Sequence, residues 1–174
     1  IIGARNRERV KMLRTQSDFS RVAVLGAGAV GCFFGARLAQ AGVPVTLIGR
    51  PAHVDAIRAH GLGVESGGET RRIAIDASTT TECLRQSQLV LVCVKSGDTE
   101  EAARTIAALA PPEAIVVSMQ NGVDNVEAIE RGGGIDALAA VVYVGVSMAG
   151  PGHVVHAGRG DLVLGEFGTA ARGA

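Results

Sequence analysis

Gly26, Gly28 and Gly31 have the clearest chemical meaning in this sequence, because their spacing is that of a phosphate-binding loop. They follow an apolar run, Val22–Leu25, typical of a buried parallel strand, and they lead into a stretch over residues 32–40 with the pattern of an amphipathic helix. In that context the first glycine permits a tight turn, the second lets a pyrophosphate approach the backbone, and the third lets helix and strand pack. The free N–H groups that begin the helix suit a phosphate. The pattern predicts a dinucleotide site.

Arg50 stands where such a site selects its cofactor. A second apolar run over residues 43–48 predicts the next strand, and Arg50 follows it. NAD sites commonly place Asp or Glu about 20 residues after the glycines, on the ribose 2′-hydroxyl. Here no carboxylate lies nearby before Asp55. Because a guanidinium binds a phosphate through paired charged hydrogen bonds, Arg50 predicts a preference for NADP(H). The alternative is an ordinary solvated arginine.

Two further strand ends carry polar side chains. Lys95 follows the apolar run 89–94, and Asn121 follows the run 114–117 within Gln120-Asn121-Gly122. In open α/β sheets, ligands bind at the carboxyl ends of the strands. An ammonium group there can reach a ribose hydroxyl or a carboxylate, and an amide can serve both a keto oxygen and a hydroxyl. The alternatives are a cation that faces water and an ordinary Asn-Gly turn.

Strands and helices alternate through most of the chain. Helical patterns over residues 53–60, 99–109 and 125–129 separate the apolar runs, and a hairpin is expected over 62–75. Gly132, Gly133 and Gly134 predict a loop. The last runs, over 137–146, 154–156 and 162–164, have no helix between them and predict antiparallel strands, of the kind that often form the edge of such a sheet. We predict an α/β fold: a Rossmann-like, doubly wound, mostly parallel sheet with C-terminal antiparallel strands.

Composition narrows the classes of function. The 174 residues are 47% hydrophobic, which suits one domain with extensions. The formal net charge of zero does not indicate a nucleic-acid partner, and no apolar run is long enough to cross a membrane. No secretory signal is visible, so a cytoplasmic location is expected. Cys32, Cys83 and Cys93 lack the spacing of a disulfide framework or a metal site.

The chain divides into three predicted regions. Residues 1–20 carry five basic residues against two acidic ones and read as a basic, mobile tail. Residues 21–167 form the predicted NADP-binding domain. Residues 168–174 read as the start of a linker.

Several segments together resemble the ketopantoate reductases (2-dehydropantoate 2-reductases) over about residues 21–167. They are Val22–Gly31, Arg50, Val92–Lys95, Gln120–Gly122 and Gly152–His156 with the following Gly165. The resemblance implies a Rossmann domain that binds NADPH, and hydride transfer to the 2-keto group of 2-dehydropantoate in pantothenate biosynthesis. It implies that the pyrophosphate is held by Gly26, Ala27, Gly28, Ala29, Val30 and Gly31. It also implies that Arg50 meets the 2′-phosphate, that Lys95 lies by the cofactor, and that Asn121 contacts cofactor and substrate.

The same resemblance marks a difference. The family's proton-donating lysine belongs to a helical C-terminal domain, and no lysine follows Lys95 here. We therefore expect the helical domain to be absent, this chain to hold no catalytic residue and to be inactive alone, and the surface left by the missing domain to permit self-association. One alternative is a stand-alone NADP(H)-binding or redox-sensing module. Another is a dehydrogenase of the 3-hydroxyacid or glycerol-phosphate type, against which Arg50, Lys95 and Asn121-Gly122 argue.

Overall fold

The chain folds around one nine-stranded sheet in a computed structural model, which describes residues 19–122 and 124–166. The strands are β1 (Val22–Leu25), β2 (Val45–Ile48), β3 (Leu62–Ser66), β4 (Glu69–Ile73), β5 (Asp76–Ser78), β6 (Leu89–Val92), β7 (Ile115–Ser118), β8 (Leu138–Gly150) and β9 (His153–Glu166). The α-helices are α1 (Ala29–Gln40), α2 (Pro51–His60), α3 (Thr99–Leu109) and α4 (Asn125–Gly133), with 3₁₀ turns at Glu82–Gln86 and Ser96–Asp98.

The sheet order is β4-β3-β9-β8-β7-β6-β1-β2-β5. Strands β2 and β5 lie on one side of β1, and β6 and β7 lie on its other side, all in parallel. Between β2 and β5 the chain forms β3 and β4, at the far edge of the sheet. The direction of winding therefore reverses between β1 and β6, which is the place where doubly wound sheets bind ligands. The predicted fold class, an α/β sheet that is doubly wound and mostly parallel, is confirmed.

Helices cover both faces of the parallel strands. Val24 of β1 packs in a cluster with Phe34 of α1 and Ile57 of α2, whereas Ala23 packs in a second cluster that contains Ile106 of α3. Since each of these strands is buried on both faces, its sequence is continuously apolar rather than alternating. This double burial fixes the carboxyl ends of four neighbouring strands at one edge.

The antiparallel strands differ in detail from the prediction. Antiparallel pairing is confirmed, but the segments expected at 154–156 and 162–164 form one strand, β9. Gly158–Gly160, which separates those two segments in the sequence, is an irregularity within β9, where Arg159 has φ 60° and the register shifts against β8. A bulge keeps the two strands paired where a turn would separate them. The expected edge position is also wrong, because β9 pairs with β3 and the β3–β4 hairpin forms the edge.

Two other differences from the prediction concern α4 and β5. Gly132 and Gly133, predicted as loop, form the last turn of α4, and only Gly134 has the left-handed backbone that ends the helix. A Cβ on Gly133 would lie 2.6 Å from the carbonyl oxygen of Ala103, so these glycines permit close packing of α4 on α3. Strand β5 was not predicted, because Asp76 and Ser78 are polar.

The predicted tail, 1–20, and the predicted linker, 168–174, fall outside the described residues except for Phe19 and Ser20. Phe19 packs against the cluster beneath α1 and α2. The Ser20 backbone N–H and hydroxyl donate hydrogen bonds to Oε1 of Gln88, at 2.6 and 3.0 Å. Within the described part of the chain, no helix has the length and apolar character needed to cross a membrane.

Candidate functional site

The loop between β1 and α1 is held by backbone hydrogen bonds to the neighbouring strand. The N–H groups of Gly26 and Ala27 donate to the carbonyl oxygen of Ile48, at 3.0 and 2.9 Å. Gly26 has φ 117°, and a Cβ on it would lie 2.6 Å from the carbonyl carbon of Cys93, in the loop after β6. Only glycine therefore fits at the turn where three strand ends meet.

Gly28 and Gly31 differ sharply in their surroundings. A Cβ on Gly31 would lie 2.1 Å from the carbonyl oxygen of Gly26, so the start of α1 packs directly on the loop. Around a Cβ on Gly28 there is no heavy atom within 4 Å, and its backbone (φ −85°) is one that any residue adopts. Nothing in the described fold requires glycine at position 28, and the space beside it is open.

The first turn of α1 offers the donors that a phosphate needs. Gly28 is the N-cap, no side chain caps the helix, and its first turn contains no acidic residue. The N–H of Cys32 makes the first helical bond, to the carbonyl oxygen of Gly28 at 2.8 Å. Ala29 and Val30 lie in this turn and are partly exposed, whereas Ala27 is buried. The electropositive helix end thus faces the open space at Gly28.

Arg50 lies beside the glycine loop because the residue before it, Gly49, packs closely against that loop. A Cβ on Gly49 would lie 2.5 Å from Cβ of Ala27, so the end of β2 approaches the glycine loop closely. Arg50 follows as the N-cap of α2, with Pro51 in the first turn. The arginine is exposed, and its guanidinium has no hydrogen bond or ion pair with any residue from 19 to 122 or from 124 to 166. It remains available for an anion. Sequence reasoning did not assign a role to Gly49.

Lys95 and Asn121 lie at the same edge of the sheet as the glycine loop. Leu25, Val92 and Ser118 are in register across β1, β6 and β7, and each of the two polar residues follows its strand by three positions. Both are exposed. The neighbouring strands β2, β1, β6 and β7 together span about 14 Å at the usual inter-strand spacing. Arg50 follows the first of them and Asn121 follows the last.

A buried polar cluster beneath Lys95 and Asn121 was missed by the sequence analysis. It contains Thr99, Gln120 and Asn125, which are linked by side-chain hydrogen bonds. The only signal in the sequence was a polar residue at the start of each following helix and a glutamine after a buried strand. That signal does not distinguish a buried cluster from a solvated loop.

The cysteines do not supply a nucleophile to this site. Cys32 is fully buried, and Cys93 lies against the glycine loop. Desolvation raises the pKa of both thiols to about 12, so they remain protonated near neutral pH. Among the residues that the structure describes, no group of His, Cys, Asp and Glu could hold a metal ion.

A cavity of about 820 Å³ lies away from the glycine loop, and its lining includes Gly42, Pro44, Arg58 and Asp76. Pro44 and Asp76 adjoin the amino ends of β2 and β5, so this cavity is at the edge of the sheet opposite the glycine loop. The candidate site therefore rests on the convergence of strand ends and helix N–H groups, rather than on cavity size.

Comparisons with known proteins agree with this placement. The family model described as ketopantoate reductase PanE/ApbA matches residues 22–169. A 2-dehydropantoate 2-reductase of Pyrococcus abyssi is 33% identical over 147 residues, which is 84% of this chain and 48% of that protein. The chain spans about half the length of the curated relatives it matches.

Solved structures give the same result. A PanE/ApbA family ketopantoate reductase from Ralstonia eutropha JMP134 is 46% identical, with a TM-score of 0.79 over 83% of this chain and 48% of that chain. A D-mandelate dehydrogenase, solved with NADH and anilino(oxo)acetate, is 27% identical, with a TM-score of 0.77 over 87% of this chain and 51% of that chain.

Proposed function

The chain belongs to the ketopantoate reductase PanE/ApbA family, and on that basis we propose that it binds NADPH as the cofactor half of a 2-oxo acid reductase. Family members are oxidoreductases of the pyridine-nucleotide-dependent kind. The finer assignment, to NADPH and to 2-dehydropantoate as the substrate, is the proposal.

The contrast between the three loop glycines carries this proposal. Gly26 and Gly31 are required by close contacts within the chain, whereas a Cβ on Gly28 would meet no heavy atom within 4 Å. A glycine that folding does not require, beside uncapped helix N–H groups, is best explained by a pyrophosphate that occupies the space. The unpaired guanidinium of Arg50, next to Gly49, then meets the 2′-phosphate of the adenosine.

The remaining strand ends suit the reacting end of the cofactor. NADPH, when bound, supplies the hydride for the 2-keto carbon. We assign Lys95 to cofactor contact and Asn121 to both cofactor and substrate, because its amide can donate to a keto oxygen and accept from a hydroxyl. Reduction of the ketone also needs a proton on its oxygen. The resemblance places that donor in a helical domain, so we expect the 174-residue chain alone to bind NADPH and to turn over 2-dehydropantoate negligibly.

NADPH fluorescence titration of the wild type and of Gly28→Val tests the proposal. We expect saturable binding by the wild type and none by the variant, because the valine occupies ligand space that no chain atom fills. Melting curves should show both proteins folded at the temperature of the titration. Gly150→Val is the matched control, since it also adds a side chain in open space but lies at the end of β8. A folded Gly28→Val protein that binds NADPH as the wild type does would refute the pyrophosphate site.

A further inference from the structure

Four polar side chains are buried where an apolar core would be expected, between the loop after β6 and the loop after β7. Thr99 has 0% of its surface exposed, Ser118 3%, Asn125 6% and Gln120 8%. Burial of polar groups is costly unless their hydrogen bonds are satisfied, so such a cluster has to be explained by its partners.

Gln120 joins the two loops. Its Nε2 donates to the carbonyl oxygen of Val94 at 2.9 Å and to Oγ1 of Thr99 at 2.7 Å. Its Oε1 accepts a hydrogen bond from the Ser118 hydroxyl at 3.2 Å. The amide therefore has one workable orientation, because the reverse would place Oε1 against the Val94 carbonyl oxygen. Val94 immediately precedes Lys95.

Thr99 links Gln120 to Asn125 through its hydroxyl group. Because its hydroxyl accepts from Gln120, its one hydrogen is free to donate to Oδ1 of Asn125, at 3.4 Å. Nδ2 of Asn125 then donates to the carbonyl oxygen of Asn121 at 2.8 Å. An unbroken series of side-chain hydrogen bonds thus connects the backbone before Lys95 to the backbone of Asn121.

We propose that Gln120, Thr99 and Asn125 are positioning residues, which set the separation of Lys95 and Asn121 at the candidate site. The inference rests on the proposed function, because it treats those two exposed residues as cofactor contacts. The cluster acts through the main chain: the backbone carbonyls that it binds are those of Val94, which precedes Lys95, of Asn121 itself, and of Gly122, which follows it and lies 3.4 Å from Nδ2 of Asn125. A fully bonded buried network restrains its loops better than apolar packing does, because each bond has a direction.

The test compares NADPH affinity in Thr99→Val and Gln120→Met, which preserve approximate size and remove the hydrogen bonds. Thr99→Val removes two of these hydrogen bonds and Gln120→Met removes three. We expect NADPH binding to weaken about 3- to 10-fold in each, because only part of the cost of the lost bonds reaches the site through the main chain. Thr99→Ser retains the hydroxyl and should restore wild-type affinity. Thr105→Val is the matched control, since Thr105 also lies on α3, but its hydroxyl donates an exposed hydrogen bond inside that helix, to the carbonyl oxygen of Glu101 at 3.0 Å.

Two further readouts separate positioning from a role in folding alone. The ratio of NADPH to NADH affinity should not change, because Arg50 lies outside the cluster. The loss in Gln120→Met should shrink when Lys95 and Asn121 are already alanine, since the cluster acts through them. All titrations are made at a temperature where melting curves show the proteins folded.

Wild-type affinity in folded Thr99→Val and Gln120→Met would overturn the positioning role while leaving the proposed function intact. Unfolding of both variants would also overturn it, by assigning the cluster to folding. Absence of NADPH binding by the wild type, by contrast, would refute the proposed function itself.

Discussion

Arg50 is the residue to which we assign the choice of cofactor. It is held beside the glycine loop by the contact of Gly49 with Ala27, and its guanidinium is unpaired within the described part of the chain. The fold alone does not decide the matter, since a structural relative was solved with NADH. We therefore assign the proposed preference for a 2′-phosphate to this one exposed side chain.

Replacement of Arg50 by glutamine should remove the preference for NADPH. Because the guanidinium is exposed and solvent screens its charge, we expect the loss to be nearer tenfold than a hundredfold. NADH affinity should be unchanged. Parallel titrations with both nucleotides measure the effect. Arg37→Ala, at the far end of α1, is the control and should bind both as the wild type does. Equal affinities of the wild type for the two nucleotides would contradict the assignment.

The desolvated thiols of Cys32 and Cys93 should make the free energy of unfolding depend on pH. Burial raises the pKa of Cys32 from 9.0 to about 12, and desolvation does the same for Cys93. Below about pH 9 these thiols are protonated in both the folded and unfolded states, so their stabilising effect is fully present. Between pH 9 and 12 only the unfolded state loses the protons, and the free energy of unfolding should fall. Urea unfolding at a series of pH values measures it.

Thiol labelling at pH 8 checks the same environments independently. Cys83 and Cys93 are both partly exposed, but desolvation raises the pKa of Cys93 to about 12. Burial also raises the pKa of Cys83. Because the thiolate is the form that is labelled, Cys83 should react first, and Cys32 and Cys93 should react fully only after unfolding in urea. Cys83→Ser should therefore abolish the fast phase, and fast labelling of that variant would contradict the desolvation of the other two thiols.

Among the elements, the contact between the glycine loop and α1 depends on the absence of one methyl group. Gly31→Ala would place a Cβ 2.1 Å from the carbonyl oxygen of Gly26, and backbone cannot move aside cheaply. We expect a loss of about 1–3 kcal/mol in the free energy of unfolding. Gly28→Ala, with no atom within 4 Å, should leave it unchanged. Urea unfolding compares the two, and equal stabilities would show that the loop does not pack as described.

The helices also show which features of secondary structure can be predicted from local sequence patterns. Helix α3 spans the residues that its apolar spacing predicted, and α2 ends at His60 as expected. Helix α4 extends past its predicted end, because Gly132 and Gly133 are stabilised by packing on α3 rather than by their own propensity. Local patterns are reliable where helix and strand periodicity decide the structure, and less so where a distant neighbour does.

At the scale of the whole molecule, the end of the β8–β9 hairpin farthest from its turn at Pro151 bears an exposed apolar surface. Val141 and Val163 pair across the strands and are 51% and 55% exposed, and Tyr143, Leu162 and Leu164 lie nearby. A cluster of exposed apolar side chains commonly marks an interface between protein molecules. We propose that the 174-residue chain associates with itself through this surface.

Sedimentation of the double variant Val141→Lys, Val163→Glu tests the association. The paired charges can compensate one another across the strands, so the hairpin should persist while the molecules separate into monomers. Ser147→Lys, also exposed on β8, is the control and should associate as the wild type does. A wild-type chain that is monomeric at high concentration would contradict the proposal.

By itself the sequence determined the glycine loop, the strand that precedes it, the fold class and the candidate site residues Arg50, Lys95 and Asn121. These depend on short segments whose periodicity and turn chemistry are read within a few residues. Only the tertiary structure decided that Gly49 lies on Ala27, that Gln120 reaches Thr99 and Val94 across 21 and 26 residues, and that β9 pairs with β3. The physical reason is that a hydrogen bond or a close contact between distant segments leaves no local pattern in either one.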